Sequence, residues 1–440
     1  MTESAYEERW QETDLISLTR HHSGNGKLIK GKLLSSPQEG AYPAFSASGQ
    51  DTWRAGFEHD GDAIVVSAVG ARCGKCFIAR GKWSAVANTH VVWPDRKQVD
   101  LRFLWYLLND EHWWIRSGTA QPFVAVRRSF ERRMRLPPLP VQVGIVAYLD
   151  EQLSRLDASV AALHRVQANL KRYRASVLKS ACEGRLVPTE AELARQENRD
   201  FETGAQLLRR ILAARRARVS GRSKYKEPST PAAIHLSDAP EGWAWSNVDQ
   251  LAEVGTGATP KRDVQAFYEG GHIAWVTSGA VNGEYVDQAS EFVTERALAE
   301  TNLSVYPPGT LLLAMYGEGK TRGRCSELRI AATTNQALAA IQAAEPVRRY
   351  LRLLLERSYE ETRKAASGGV QPNLNLSLVR AIAVPLPPLA EQHRIVAEAD
   401  RRLSLIRVAE AQVAANLARA QRLRQSILQA AFRTPAQAGQ

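Results

Sequence analysis

The chain has 440 residues, more than one ordinary core accommodates, so two or three domains are expected. Hydrophobic residues make up 44% and charged residues 24%, the balance of a water-soluble globular protein, and no stretch nears the roughly 18 uncharged apolar residues of a membrane helix. With 58 Lys and Arg against 46 Asp and Glu the net charge is +12, which favours a polyanionic partner, and four cysteines are too few for a disulfide framework. The first ten residues carry Glu3, Glu7 and Glu8 and no apolar core of a secretory signal, so a cytoplasmic location is expected.

Residues 1–135 read as mixed α/β with short strands. Asp62–Gly70 is an apolar run closed by glycine, the pattern of a buried strand, and the Gly-rich basic loop Gly70–Lys75 follows it. An amphipathic segment comes next, near Leu101–Leu108.

From Leu136-Pro137-Pro138-Leu139 onward the prolines stop. Leu149, Leu156, Leu163, Leu170 and Val177 then fall seven apart, with Leu153 and Val160 interleaved, which is the apolar seam of a coiled coil over about four heptads. The spacing predicts a helix over Gln142–Cys182 that stops at Gly184, with Pro188 beyond it. A second helical stretch, Glu190–Ala217, grades into a linker. Between Arg209 and Lys226 lie eight basic residues and no acid, and Ser220, Gly221, Pro228 and Pro231 mark the connection.

Residues 236–385 repeat the α/β character. Gly309–Met315 is the second glycine-bounded apolar run, a basic loop over 317–324 follows it, and Leu351–Leu355 is the amphipathic counterpart. Leu386-Pro387-Pro388-Leu389 then repeats the earlier motif at an offset of 386 − 136 = 250. Without a gap the same offset pairs Gln142 with Gln392, Asp150 with Asp400, Ser176 with Ser426 and Ala181 with Ala431. The chain is a duplication. The second seam runs through Leu403, Ile406, Val413, Leu417, Ala420 and Ile427. A lone stripe cannot bury itself, so the two helices are expected to pair antiparallel about a pseudo-two-fold axis. Further upstream the register drifts: Gly74-Lys75-Cys76 faces Gly323-Arg324-Cys325 at 249, and Asn88 faces Asn335 at 247.

Catalytic signatures are sparse. Gly319-Lys320-Thr321 suggests a nucleotide-binding loop, but that motif needs glycine five positions before Gly319, where Ala314 stands. Cys73-x-x-Cys76 has zinc-like spacing without a second ligand pair, so no metal is expected. The histidines form no visible set with a Ser or Cys nucleophile, and neither an amino-methyltransferase nor a nuclease signature is legible. No catalytic residue is assigned.

Two divergent readers, each followed by Leu-Pro-Pro-Leu-x-x-Gln and a long helix, resemble the specificity (S) subunits of type I restriction-modification systems. The resemblance rests on Pro385–Gln392, on the helix exit Ala181–Pro188, and on Gly257-Ala258-Thr259-Pro260-Lys261, Ile273-Ala274-Trp275 and Asn335-Gln336. The first copy departs from it at Val141, opposite Glu391, and at Thr89, opposite Gln336. The resemblance implies an α+β chain with two α/β target recognition domains joined by two long helices in an antiparallel coiled coil. The expected segments are 1–135 and 236–385 for the two domains, 136–235 for the central helical region and linker, and 386–440 for the C-terminal helical region. It further implies a non-catalytic chain that reads an asymmetric bipartite site on double-stranded DNA, the helices setting the spacer. Two methyltransferase (M) subunits and restriction (R) subunits would be its partners, and S-adenosylmethionine and ATP would bind those partners rather than this chain.

Base edges are read by Arg, Lys, Asn, Gln, Ser and Thr, and phosphates by cations and amides. The candidate DNA contacts are Lys27, Lys30, Arg72, Lys75, Gln121, Arg127 and Arg128 in the first reader. In the second they are Lys261, Arg262, Lys320, Thr321, Arg322, Arg324, Gln371 and Asn373. Helix pairing is assigned to Leu149, Leu153, Leu156, Val160, Leu163, Leu170 and Val177 against Leu403, Ile406, Val413, Leu417 and Ile427. A protein-binding scaffold and a free-standing DNA-modifying enzyme are the competing readings.

Overall fold

The computed structural model describes residues 10–110, 113–118, 121–218, 226–231, 239–316, 321–365 and 374–432. The chain divides into two compact units, one of residues 1–165 with 413–440 and the other of residues 166–412. Each contains one reader, the beginning of the long helix that leaves it, and the end of the other long helix. The compact units therefore cut through both helices, where the sequence segments end at the helix starts.

In the first unit, strand Gln11–Thr13 pairs antiparallel with Met134–Leu136, which ties the start of the reader to its exit. The main sheet is ordered Thr19–Ser23, Thr89–Pro94, Ala63–Ser67, Cys76–Ala79. All five residues of Ala63–Ser67 are buried, as a central strand with continuous apolar character requires. A second sheet holds Ala41–Ser46 and Lys82–Ala85 in parallel.

The second unit repeats this plan. Ala244–Asn247 pairs with Ala383–Leu386. The main sheet runs Glu253–Thr256, Leu338–Gln342, Leu311–Ala314, Cys325–Leu328, with Tyr285–Val286 added at one edge. Its second sheet again contains a parallel pair, Ile273–Val276 with Thr333–Thr334. The duplication thus extends through both readers, where sequence similarity has faded to isolated residues.

Both long helices have 44 residues, Leu139–Cys182 and Leu389–Phe432. The first starts three residues before the sequence expectation, because Pro140 fits the first helical turn, where its missing N–H is not needed. The glutamine of Leu-Pro-Pro-Leu-x-x-Gln closes that turn. Gln142 Nε2 donates to Pro137 O at 2.8 Å, and Gln392 Nε2 donates to Pro387 O at 2.8 Å.

The seam residues are buried or half-buried throughout, from Leu149 at 0% exposure to Val160, Leu163 and Leu170 as intermediate positions. In the first unit Val146, Leu149 and Leu153 share a core with Ile427, Leu428, Ala431 and Phe432, and Asp157 pairs with Arg424. In the second, Val177, Leu178, Ala181 and Cys182 share a core with Ile395, Val396, Ala399, Leu403 and Ile406. The start of one helix meets the end of the other in each unit, which is antiparallel pairing. Each helix also packs on its own reader, so the same seam serves both contacts.

One sequence expectation needs correction. Glu190–Ala217 is not one helical stretch but two helices, Glu190–Glu197 and Gly204–Arg218. Thr189 caps the first with a reciprocal Glu192 bond, and Asn198 ends it in the left-handed conformation at φ 50°. Asparagine tolerates that conformation because its short polar side chain bonds locally.

Candidate nucleic-acid interface

The clearest equivalence between the readers is the turn after the central strand. In the first, Lys75 N–H donates to Arg72 O at 3.1 Å, Gly74 N–H to Ser67 O at 2.8 Å, and Ser67 N–H to Lys75 O at 2.8 Å. In the second, Arg324 N–H donates to Thr321 O at 3.1 Å, Gly323 N–H to Ala314 O at 2.7 Å, and Ala314 N–H to Arg324 O at 2.9 Å. Gly74 and Gly323 occupy the third position at φ 93° and 80°, where a type II turn requires a positive φ. Arg72-Cys73-Gly74-Lys75 and Thr321-Arg322-Gly323-Arg324 are therefore one device with different side chains. The cysteine after each turn, Cys76 and Cys325, is buried, and burial pushes both thiols up. Both side chains are packed in the apolar core behind the turn. Among the described residues no cluster of three His, Cys, Asp or Glu is placed to hold a metal.

The first turn is more open. Arg72 and Lys75 are exposed, and no carboxylate pairs with either among the described residues. Lys75 Nζ lies 5.9 Å from the centre of the Phe77 ring. The hairpin of Arg116–Ser117 and Phe123–Val124, which carries Gln121, is bonded alongside: Gly70 N–H donates to Pro122 O at 2.8 Å and Val124 N–H to Ala68 O at 3.0 Å. Arg127 and Arg128 follow on the short helix Val126–Phe130, Arg127 paired with Glu131 at 3.0 Å. These five candidates are thus carried on adjoining elements. Lys27 and Lys30 lie elsewhere: Lys27 is exposed on a turn capped by Asn25, and Lys30 is paired with Asp51.

In the second reader the cations are more engaged. Arg262 pairs with Glu291 at 2.6 Å, and its guanidinium lies 4.9 Å from both the Tyr268 and Trp275 rings. Arg324 donates to Asn282 O at 2.8 Å. Lys261 is exposed, and Thr321 and Arg322 are half-buried on the turn. Thr259 donates to Gln336 at 2.6 Å, joining two segments of the resemblance. Lys320, Gln371 and Asn373 lie outside the described residues.

Sequence reasoning missed Arg116, which lines the same recess as Arg72 and Lys75. It also missed a histidine group on the first reader. His21 Nδ1 and His90 Nε2 are 2.8 Å apart, and the His22 and His59 rings are 5.4 Å apart, both close to Trp93. Burial lowers His90 to about 4 and also depresses His21 and His59. Strand alternation at 19–23 and 89–94 could have signalled the pairing only if the register were known.

Two like-folded α/β units, each leading into a 44-residue helix and each carrying the same glycine turn, define a duplicated reader-and-helix scaffold. Residues 240–401 match the family model described as the type I restriction modification DNA specificity domain. The chain is 25% identical over 420 residues to the type I restriction enzyme EcoDI specificity subunit of Escherichia coli, covering 93% of this chain and 86% of that protein. It is 30% identical over 169 residues to the MjaIX specificity subunit of Methanocaldococcus jannaschii, covering 36% of this chain and 38% of that one. Its fold matches a chain of a solved structure on complex assembly and conformational transition of the type I R-M system. That match has a TM-score of 0.61 at 18% identity and covers 96% and 97% of the two chains. Over nearly its whole length the chain is thus similar to type I restriction enzyme specificity subunits, and the family model matches within its second half.

Proposed function

We propose that this chain supplies the DNA sequence specificity of a type I restriction-modification complex. Each reader contacts one half of an asymmetric bipartite site, and the paired helices set the length of the unread spacer. The supporting observation is the repeated plan, in which two readers share one strand order but carry different side chains on an equivalent turn, and each leads into a helix of equal length. Equal helices suit a symmetric frame, and different turns suit different half-sites.

Under this reading the chain is non-catalytic. Methyltransferase subunits, two in number, and restriction subunits dock on it and carry S-adenosylmethionine and ATP. No helix among the described residues is long and apolar enough to cross a membrane. The DNA contacts are drawn from Arg72, Lys75, Gln121, Arg127 and Arg128 of the first reader and Lys261, Thr321, Arg322 and Arg324 of the second. Lys27 and Lys30 are secondary because they lie away from the turn and hairpin, and Arg262 because Glu291 and the Tyr268 and Trp275 rings hold its guanidinium.

The test is the methylation motif. Expressed with its methyltransferase partner, the chain should direct methylation to a bipartite sequence. Removing one heptad from each long helix shortens each by roughly 10 Å, about three base pairs of duplex at about 3.4 Å per pair. The spacer should shrink and both half-sites persist. An unchanged spacer would overturn the role of the helices, and no sequence-specific methylation would overturn the function.

A further inference from the structure

The turn at 70–75 of the first reader has the components of an anion site. A recess of about 370 Å³ is lined by Ala71, Arg72, Cys73, Gly74, Lys75, Asn109 and Arg116. Three of the seven lining residues are cationic and none is acidic. Gly70, at φ 99°, reverses the chain just before Ala71 and Arg72, and the N–H groups of those two residues have no hydrogen-bond partner among the described residues. Successive free amides after a left-handed residue form a concave nest that favours an anion. The Asn109 side chain is not available to a ligand. It receives Cys76 N–H at 2.9 Å and donates to Cys76 O at 3.2 Å, which braces the floor.

Arg116 reaches the recess from a different element. It stands on the hairpin strand Arg116–Ser117, held beside the turn by the bond from Gly70 N–H to Pro122 O. In the second reader the arginine that ends the equivalent turn is drawn to Asn282 O. The two turns share a backbone but not this chemistry.

We propose that the recess of Arg72, Lys75 and Arg116, with the amides of Ala71 and Arg72, holds one backbone phosphate of the DNA duplex, and that Arg116 is a positioning contact for the first half-site. This rests on the reading of the chain as a DNA specificity subunit. The contact is sequence-independent and fixes the register of the reader on the duplex, while base edges are read elsewhere.

The experiment measures binding of the full chain, with its methyltransferase partner, to a fluorescent duplex carrying the methylation motif and to a scrambled duplex, between 50 and 200 mM salt. Wild type should bind both with a steep salt dependence, and failure to bind either would sink the DNA reading itself. Arg116→Ala and Lys75→Ala should each weaken both duplexes by a similar factor and make the log–log salt slope shallower by about one. Arg116→Lys should restore most of the slope, and thermal melting of each variant checks that the hairpin still folds. Unchanged slopes for folded Arg116→Ala, with wild type binding normally, would overturn the recess while leaving the function intact. A parallel titration with inorganic phosphate separates the sources. If phosphate raises the melting temperature of wild type but not of Arg116→Ala, while the DNA slopes do not differ, the recess binds a free anion and the duplex assignment is wrong.

Discussion

The Arg102 guanidinium grips the Asp150 carboxylate through both of its terminal nitrogens, one of the two bonds measuring 2.6 Å. Tyr106 donates its hydroxyl to the same carboxylate at 2.6 Å, and burial together with that bond pushes the phenol up to about 12. This contact bolts the reader helix Leu101–Leu108 to the long helix that leaves the reader. The second copy repeats it, with Arg349 on Asp400. The pairing of Asp150 with Asp400 at the repeat offset therefore reports a shared anchor.

Asp150→Ala should destabilise the first unit by about 1–2 kcal/mol. A bidentate charged bond is worth more than a neutral one, but the pair is about a third exposed and screened by water. Chemical denaturation of wild type and variant checks this, and Asp400→Ala should cost less because Arg349 is more exposed. Equal losses would contradict the reasoning from exposure.

Acid should weaken the first unit before general acid unfolding. Burial is the main reason His90 sits near 4 in the folded chain, against an ordinary value of 6.5, and its neighbours His21 and His22 add to it. A depressed histidine means that the unfolded chain takes up the proton first. The stabilisation is therefore complete above pH 6.5 and is lost as pH falls toward 4. His21 and His59 are lowered too and act in the same direction, with Arg127, Arg20 and Glu58 as the other charges facing the group. The loss by pH 4 should be roughly 2–3 kcal/mol. Melting temperature followed from pH 7.5 to 4 should fall, and His90→Gln should flatten the curve.

Glu391 is fully buried at the start of the second long helix. Its carboxylate accepts Glu190 N–H at 2.9 Å and the Trp243 indole at 3.0 Å, and burial raises its pKa. Alanine here strands two buried donors, so Glu391→Ala should cost about 2–4 kcal/mol. Glu391→Gln keeps one carbonyl oxygen and should cost roughly half as much. Val141 occupies the matching place in the first copy, where no such acceptor exists. Limited proteolysis between residues 183 and 203 should accelerate in the alanine variant if Glu391 holds that segment.

Gly74→Ala should disturb the turn itself. An added Cβ would lie 2.7 Å from Trp114 Cδ1, and alanine at φ 93° is strained without any clash. We expect a loss of about 2 kcal/mol or more. Duplex binding should weaken beyond what the stability change explains, because Arg72 and Lys75 flank the displaced residue. Wild-type binding in a folded Gly74→Ala chain would show that the turn geometry is dispensable.

The helices were legible because their signal is local and periodic. Heptads from Leu149 to Val177 fix a buried stripe whatever the readers do, and the predicted seam residues are all at least half-buried. The break at Asn198 was not legible, since the flanking sequence has good helix formers and only the left-handed backbone at Asn198 reveals the stop. Among candidate contacts, Arg72 and Lys75 were readable from a glycine-rich basic loop. Arg116 lies 44 positions beyond Arg72 (116 − 72 = 44) on a two-residue strand with no pattern of its own.

Sequence alone determined the duplication, its 250-residue register, the two long helices and the resemblance to a specificity subunit, because repeated motifs and heptads need no knowledge of the chain path. Tertiary structure decided that the readers share a strand order, that Asp150 and Asp400 are the same anchor, and that Arg116 joins Arg72 and Lys75. Those facts depend on which distant strands pair and which helices pack together. Strand pairing is set by packing and loop closure across tens of residues, which local sequence patterns do not encode.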